Sequence, residues 1–341
     1  MAANRPRDLL SDDLLGQLGR DRAVAGDIAR LAEAGYLNVA LPPEFGGLGC
    51  TLRQAACGQR RLARHAPDAA LAVSAHLYWT GAAADAYRAG DDSTRWILLE
   101  ASRGALFAGG HGGAGGDLRF ADPTSRCEPD GPDGYLFRDP RVLATMTPSW
   151  DWIAVHAVHA PVPARSAGPR SVIAFAGRGT RCTPAFRVAR VSSTGTPADV
   201  FTTSALTWGH SILASVQYSD ARRAFNDALT AYAEAAVADA AGIGSAGAVL
   251  PGQGPGTADG QRPAGRWPVA EAGVRLDAMK ARIAEITHPW PLVQPPAPDL
   301  GGQHLIGLHA MRHEVAEGAA RVHNLITRIT GAKAPARPLV P

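Results

Sequence analysis

The sequence predicts an α+β protein in three zones: an N-terminal helical domain over 1–107, a central β-barrel over 108–222, and a C-terminal helical bundle over 223–341. Three observations carry that prediction. Apolar residues recur at helical spacing in the first and last zones, while Gly and Pro clusters cut the middle zone into short alternating runs. Two Gly- and Pro-rich stretches, 251–268 and 288–302, separate the long helices of the last zone. With 341 residues, 46% hydrophobic and 19% charged, the chain can bury a sizeable core.

In the first zone, "AGDIARLAEAGYL" sets Ile28, Leu31 and Ala32 on one helical face, with Asp27, Arg30 and Glu33 outside and Gly35 as the stop. Thr51 is the expected N-cap of the next helix, which runs to the His65-Ala66-Pro67 break. Residues 68–89, "DAALAVSAHLYWTGAAADAYRA", are apolar nearly all round, so that helix is expected to be buried on most faces. A further helix from about Ser93 turns Trp96, Leu99 and Ala101 inward. In the middle zone "GYLF", "WIAVHAV", "SVIAFA" and "ASVQYS" read as strands, in a unit of roughly six to eight. After residue 222 three long helical patterns follow, the last over 303–331 with apolar Leu305, Leu308, Val315, Ala319 and Val322 on more than one face. That surplus predicts a homodimer or homotetramer.

Several function classes are disfavoured. The net charge is +3 and no long basic run occurs, so nucleic acid is a poor partner. No run approaches the roughly 18 apolar residues a membrane helix needs, and "MAANRPRDLL" leads into no apolar signal segment. A cytoplasmic protein without a membrane partner is expected. Cys50, Cys57, Cys127 and Cys182 lack metal-ligand spacing and fit a reducing cytoplasm, and Cys50 and Cys57, seven apart, read as buried free thiols.

Five motifs occur in an order that resembles the acyl-CoA dehydrogenase superfamily. "LAEAGYLNVALPPEFGGLG" is similar to that family's helix end and Pro-x-x-x-Gly-Gly-x-Gly turn, and "GDDSTRWILLEASRGALFAGG" to its passage from helix to barrel. "GGAGGDL" stands at the Gly-rich strand entry, "GYLFRDPRVLATMTPSWDWIAVHA" at the flavin hairpin, and "ASVQYSDARRAF" at the strand leaving the barrel. The resemblance spans roughly residues 10–331. It implies a flavin between the β unit and the second helical unit. Thr145 then falls on the hydroxyl residue that meets the ring, and Gly115 and Gly116 on the strand entry beside it. Ser215, on the segment leaving the barrel, joins them as a cofactor-binding candidate.

The chain departs from the family pattern in two places. The Arg-x-x-Phe-Gly segment that holds the far end of FAD has no counterpart in 241–265, and "TGAKAP" keeps one glycine of the usual pair. FAD held by different residues, the smaller FMN, and no flavin at all remain open. The family's catalytic Glu near the C-terminus is also missing, since no Asp or Glu follows Glu317. The chain therefore looks like a C-terminally truncated member for which ordinary acyl-CoA desaturation is doubtful. Asp220, Asp227, Glu234 and Asp239 are the acids on the first helix after the barrel, and Asp220 is the one retained as a base candidate.

The superfamily's monooxygenase branch takes reduced flavin from a partner reductase and needs a dry pocket with a proton-handling His. His76, on the apolar helix, is the candidate there. His309 and His313 lie i,i+4 on the last helix with His304 about a turn earlier, and His309 is retained as catalytic; no metal is expected. His210 in "TWGHSI" is a further candidate. The expected function is a flavin-dependent oxidoreductase, dehydrogenase- or monooxygenase-like, with a small or carrier-bound substrate in a specialised biosynthetic pathway. The alternative is a flavin-free relative doing non-redox chemistry or serving as a non-catalytic partner subunit.

Overall fold

Helices enclose a mixed sheet on one side and one another on the other. The computed structural model describes residues 6–20, 24–109, 126–130, 134–138, 149–159, 170–178, 186–193, 199–240, 266–288, 290 and 298–330. The first zone holds α1 (Pro6–Leu9), α2 (Asp12–Gln17), α3 (Val24–Glu33), α4 (Leu52–His65), α5 (Pro67–Arg88) and α6 (Arg95–Ser102). The middle holds β1 (Phe107–Ala108), β2 (Arg126–Asp130), β3 (Gly134–Arg138), β4 (Trp152–His159), β5 (Arg170–Gly177) and β6 (Phe186–Ser193). The long helices α7 (Val200–Ala240), α8 (Arg266–Thr287) and α9 (Pro298–Thr330) follow.

Local chemistry explains the helix ends. Thr51 caps α4 in a reciprocal box: its hydroxyl accepts from the Gln54 N–H at 3.3 Å, and Gln54 accepts from the Thr51 N–H at 2.9 Å. Asp27, expected outside α3, is buried instead, because its carboxylate accepts from the Gly19 N–H at 3.0 Å and from Arg30 at 3.4 Å; Ala32 is exposed. In "LPPEFGGLG" the chain folds back on itself so tightly that a side chain at Gly47 would lie 2.1 Å from the Leu41 carbonyl oxygen. Cys50 is buried as expected, but Cys57 is exposed; Cys127 is buried as well.

Two expectations are corrected. The sheet runs β3-β2-β4-β5-β6 with β1 parallel to β4, and among the described residues it is an open sheet, not a closed barrel. The physical reason lies in "ASVQYS". That run is not a strand; it belongs to α7, so it adds no strand to the sheet, and the 222 boundary falls inside this helix. Along β4 and β5 the residues alternate between faces. Ala154, Ile173 and Phe175 join the helical core, while Ile153, Val155, Val172 and Ala174 build a second cluster behind the sheet. Phe175 enters an aromatic set from the helices, 5.0 Å from Trp79, 5.6 Å from Trp96 and 5.4 Å from Phe107.

Helix α7 is the spine. Every residue from 201 to 221 is buried, enclosed by α4, α5, α8 and α9. The helix tolerates its many hydroxyls there because several return hydrogen bonds to its own backbone, as Thr207 does to the Thr203 carbonyl at 2.8 Å. Of the five α9 positions read as surplus, Leu308, Val315, Ala319 and Val322 are buried within this one chain. Among the described residues, no helix is long and apolar enough to cross a membrane.

Candidate functional site

A polar cluster lies where α5, α7, α9 and Trp290 meet. Asp85, near the end of α5, is buried, and its Oδ2 accepts from the Trp208 indole at 2.8 Å and from the Trp290 indole at 2.9 Å. Arg88, one turn on, donates to Oδ1 at 3.1 Å. Burial raises the Asp85 pKa; the two indoles, Arg88 and the Ser204 hydroxyl work against that rise. Ser204, Thr207, Trp208 and Ser211 recur at three- and four-residue spacing, which puts them on one stripe of α7. The Ser211 hydroxyl is fully buried and has no hydrogen-bond partner among the described residues.

His304 of α9 faces that stripe. Its Nε2 lies 2.8 Å from the Thr207 hydroxyl, whose own hydrogen is donated to the Thr203 carbonyl. The hydroxyl oxygen therefore accepts, and Nε2 must carry the ring proton. That leaves Nδ1 as a lone pair, with no partner among the described residues. The Trp290 ring covers the imidazole, centroids 5.2 Å apart and planes 19° from parallel. Burial lowers the His304 pKa, so the ring is held neutral. A neutral imidazole with a fixed tautomer and a bare nitrogen can accept a proton and return it.

The other sequence candidates divide into three groups. His309 meets α7 one turn beyond Thr207, beside the cluster rather than in it: it is exposed, and its ring packs on the buried His210 edge to face at 5.1 Å. His76, Asp220 and Ser215 do not join it. His76 is buried, with Nδ1 accepting from the Phe107 N–H at 3.3 Å and Nε2 donating to the Leu37 carbonyl at 3.1 Å. Both nitrogens tie backbone segments together, so neither is presented to a substrate. Asp220 lies ~20 Å along α7 from Thr207 at 1.5 Å per residue. There it accepts from Arg223 at 2.8 Å and pairs with His323 at 3.6 Å. Although burial opposes it, these partners lower the Asp220 pKa. Ser215 accepts from Arg60 at 3.3 Å and joins α7 to α4. Gly115, Gly116 and Thr145 lie outside the described residues. Among the described residues, no three His, Cys, Asp or Glu side chains are grouped to hold a metal ion.

Sequence reading passed over Asp85, Trp208 and Trp290 as functional residues. Asp85 and Trp290 are 205 positions apart, and neither sits in a motif.

The helical unit, the mixed sheet and the long helices around α7 are arranged as in several solved structures, none of the three below more than 19% identical to this chain. The chain is similar to a nitrososynthase from Micromonospora carbonacea var. africana at 19% identity and a TM-score of 0.68, covering 96% of this chain and 86% of that one. It is also similar to KijD3 in complex with FMN and an amino-keto sugar nucleotide, at 18% identity and a TM-score of 0.70, covering 97% and 85%. A third likeness is to the methanesulfinate monooxygenase MsuC from Pseudomonas fluorescens, at 14% identity and a TM-score of 0.66, covering 98% and 88%. At such identities the likeness is one of fold. No family model matches the sequence, and no curated protein matches it significantly.

The described residues are compatible with a flavin nearby. The unpartnered Ser211 hydroxyl and the neutral His304 imidazole of the same cluster suit a group that exchanges hydrogen bonds along a polar edge and needs no fixed counter-charge.

Proposed function

We propose that this chain is a flavin-dependent monooxygenase. It uses FMN, receives it reduced from a separate flavin reductase, and oxidises a small molecule in a specialised biosynthetic pathway. The observation that carries the reading is His304, a neutral base with a defined tautomer inside a largely buried cluster. A bound flavin would supply two-electron redox chemistry and, when reduced, activation of dioxygen. Ser211 would hydrogen-bond its polar edge, and Thr145, Gly115 and Gly116 would meet its ring as the sequence resemblance implies. His304 would hold the proton that the substrate gives up, and the Trp290 ring covers one face of the imidazole.

Desaturation of a thioester fits this chain less well, because it needs a carboxylate free to take a weakly acidic proton. Asp85 is saturated by two indoles and Arg88, and Asp220 by Arg223 and His323. Asp227 and Glu234 point to solvent from the outer half of α7. The ligand and names of the three similar structures, an amino-keto sugar nucleotide with FMN, nitroso synthesis and sulfinate oxidation, guide the choice of test substrates.

The test supplies FMN, a flavin reductase and NADH under ¹⁸O₂ with a panel of amino sugars, indoles and organosulfur compounds. One labelled oxygen is expected in the product, and His304→Ala is expected to abolish its formation. Absence of label across the panel, together with dye reduction by an acyl thioester, would reverse the assignment. The homodimer or homotetramer remains a proposal, which light scattering at micromolar concentration decides.

A further inference from the structure

Trp290 joins two groups that do not touch each other. Its N–H donates to Asp85 at 2.9 Å, and its ring face lies 5.2 Å from the His304 ring at 19°. It stands outside any helix, between α8 and α9, yet it is almost fully buried. The indole has two anchors in space, the carboxylate at its edge and the imidazole on its face, and these orient it. We propose that Asp85 is a positioning residue that acts on His304 through Trp290. The carboxylate fixes the indole, and the indole fixes the plane in which His304 presents Nδ1. Thr207 sets the tautomer and Trp290 sets the tilt, so the base is held from two sides.

Asp85 cannot itself be the base, because Oδ2 takes two indole N–H groups and Oδ1 takes Arg88. The simpler role for it is to fasten α5 to α7 through Trp208. The two roles differ in which indole matters to His304: the fastening role runs through Trp208, and the positioning role through Trp290. The charged and titratable groups around the relay are Arg88 on α5, beside Asp85, and His210 on α7 with His309 on α9, close to His304 along the bundle.

This proposal rests on reading His304 as the proton-handling group, but the geometry can be tested without turnover. Protein labelled with ¹⁵N and ¹³C in histidine would be titrated by NMR as wild type, Trp290→Phe, Trp208→Phe and Asp85→Asn. Wild type is expected to show His304 protonated at Nε2 and its ring C–H signals displaced upfield by the indole. In Trp290→Phe, an aromatic face remains but the N–H is lost. The displacement should shrink, and the His304 titration should move up toward the ordinary histidine range, with Asp85→Asn doing the same and Trp208→Phe leaving both unchanged. Unchanged His304 signals in Trp290→Phe, or equal changes in Trp208→Phe, overturn the relay. Should Trp290→Phe not fold, the wild-type spectrum still decides, since an undisplaced His304 ring is incompatible with the stack. In turnover, Trp290→Phe should lower kcat about tenfold or more with KM little changed, as loss of orientation does. An inactive wild type with intact NMR behaviour would count against the monooxygenase reading and leave the relay standing.

Discussion

A single methyl group on Gly81 tests the packing behind the site. A side chain there would place Cβ 2.4 Å from Cδ2 and Cε3 of Trp208 and 2.6 Å from Cε2. Carbon atoms rest at about 3.5–4.0 Å, so the indole must move by more than ~1 Å. It has little room to do so: Trp208 is fully buried, and its N–H is fixed on Asp85 at 2.8 Å. Alanine gains about 1 kcal/mol over glycine in a helix interior. Overpacking costs about 1–3 kcal/mol, and loosening a hydrogen bond to a charged acceptor about 1.5–3 kcal/mol. The net expectation for Gly81→Ala is a loss of about 1.5–5 kcal/mol, or ~2–7 °C in Tm for a chain of this size. Thermal denaturation followed by circular dichroism and tryptophan fluorescence measures it. A Gly81→Ala midpoint at or above wild type would show that the Trp208 ring can step aside, and the rigid fastening of α5 to α7 through Trp208 and Asp85 would fall with it.

Four further outcomes are expected. Gly47→Ala should lose more than about 3 kcal/mol, because its methyl would meet the Leu41 and Asn38 carbonyl oxygens at 2.1 and 2.5 Å, which are backbone and cannot swing away; a near-wild-type denaturation curve refutes this. His76 is held near pKa 4 by burial against an ordinary 6.5. Its contribution is thus present above pH 6.5 and lost as pH falls toward 4, a change of about 3 kcal/mol. Denaturation of wild type and His76→Gln across that window should diverge, and parallel curves would remove His76 as the cause. Saturated acyl-CoA thioesters with excess FAD and an acceptor dye should give no turnover; robust turnover would reveal a carboxylate base not identified above. Thr145→Val should weaken flavin binding by about 0.5–1.5 kcal/mol in a fluorescence titration, and unchanged affinity would return Thr145 to a packing role.

The sequence was most legible where a rule acts over a few residues. The Thr51 capping box, the helix stop at Gly35 and the strands "GYLF", "WIAVHAV" and "SVIAFA" each depend on neighbours within a turn or a hairpin. The fully apolar 68–89 pattern likewise announced α5, whose residues are buried on nearly all sides. The reading failed at "ASVQYS" for a physical reason. A helix enclosed on every face has no polar side, so its 3.6-residue period disappears, and local alternation in a β-branched run imitates a strand. Asp27 was misplaced because a charged residue was assumed to seek water, whereas here it accepts a backbone N–H from the preceding turn. The candidate site was only half legible. Histidine spacing set His309 and His313 on one face of α9, yet His313 is exposed beside Glu317 and it is His304 that meets Thr207. Asp85 and the two indoles come from parts of the chain far apart in sequence, and no local pattern records such a meeting.

The enclosure of α7 also sets the order in which this chain can be completed. Its inner turns are lined on one side by α4 and α5, synthesised earlier, and on the other by α8 and α9, synthesised last. When α7 leaves the ribosome, only half of its apolar surface has a partner. The uncovered half waits for ~60 or more further residues before α9 arrives, and contacts so far apart in sequence carry a larger entropic cost to form. During that interval the nascent protein carries a long sticky groove rather than a finished domain, which is the state that chaperones bind and that aggregation exploits. The helix that gives the mature bundle its rigidity is therefore the element most exposed to misassembly while the protein is being made.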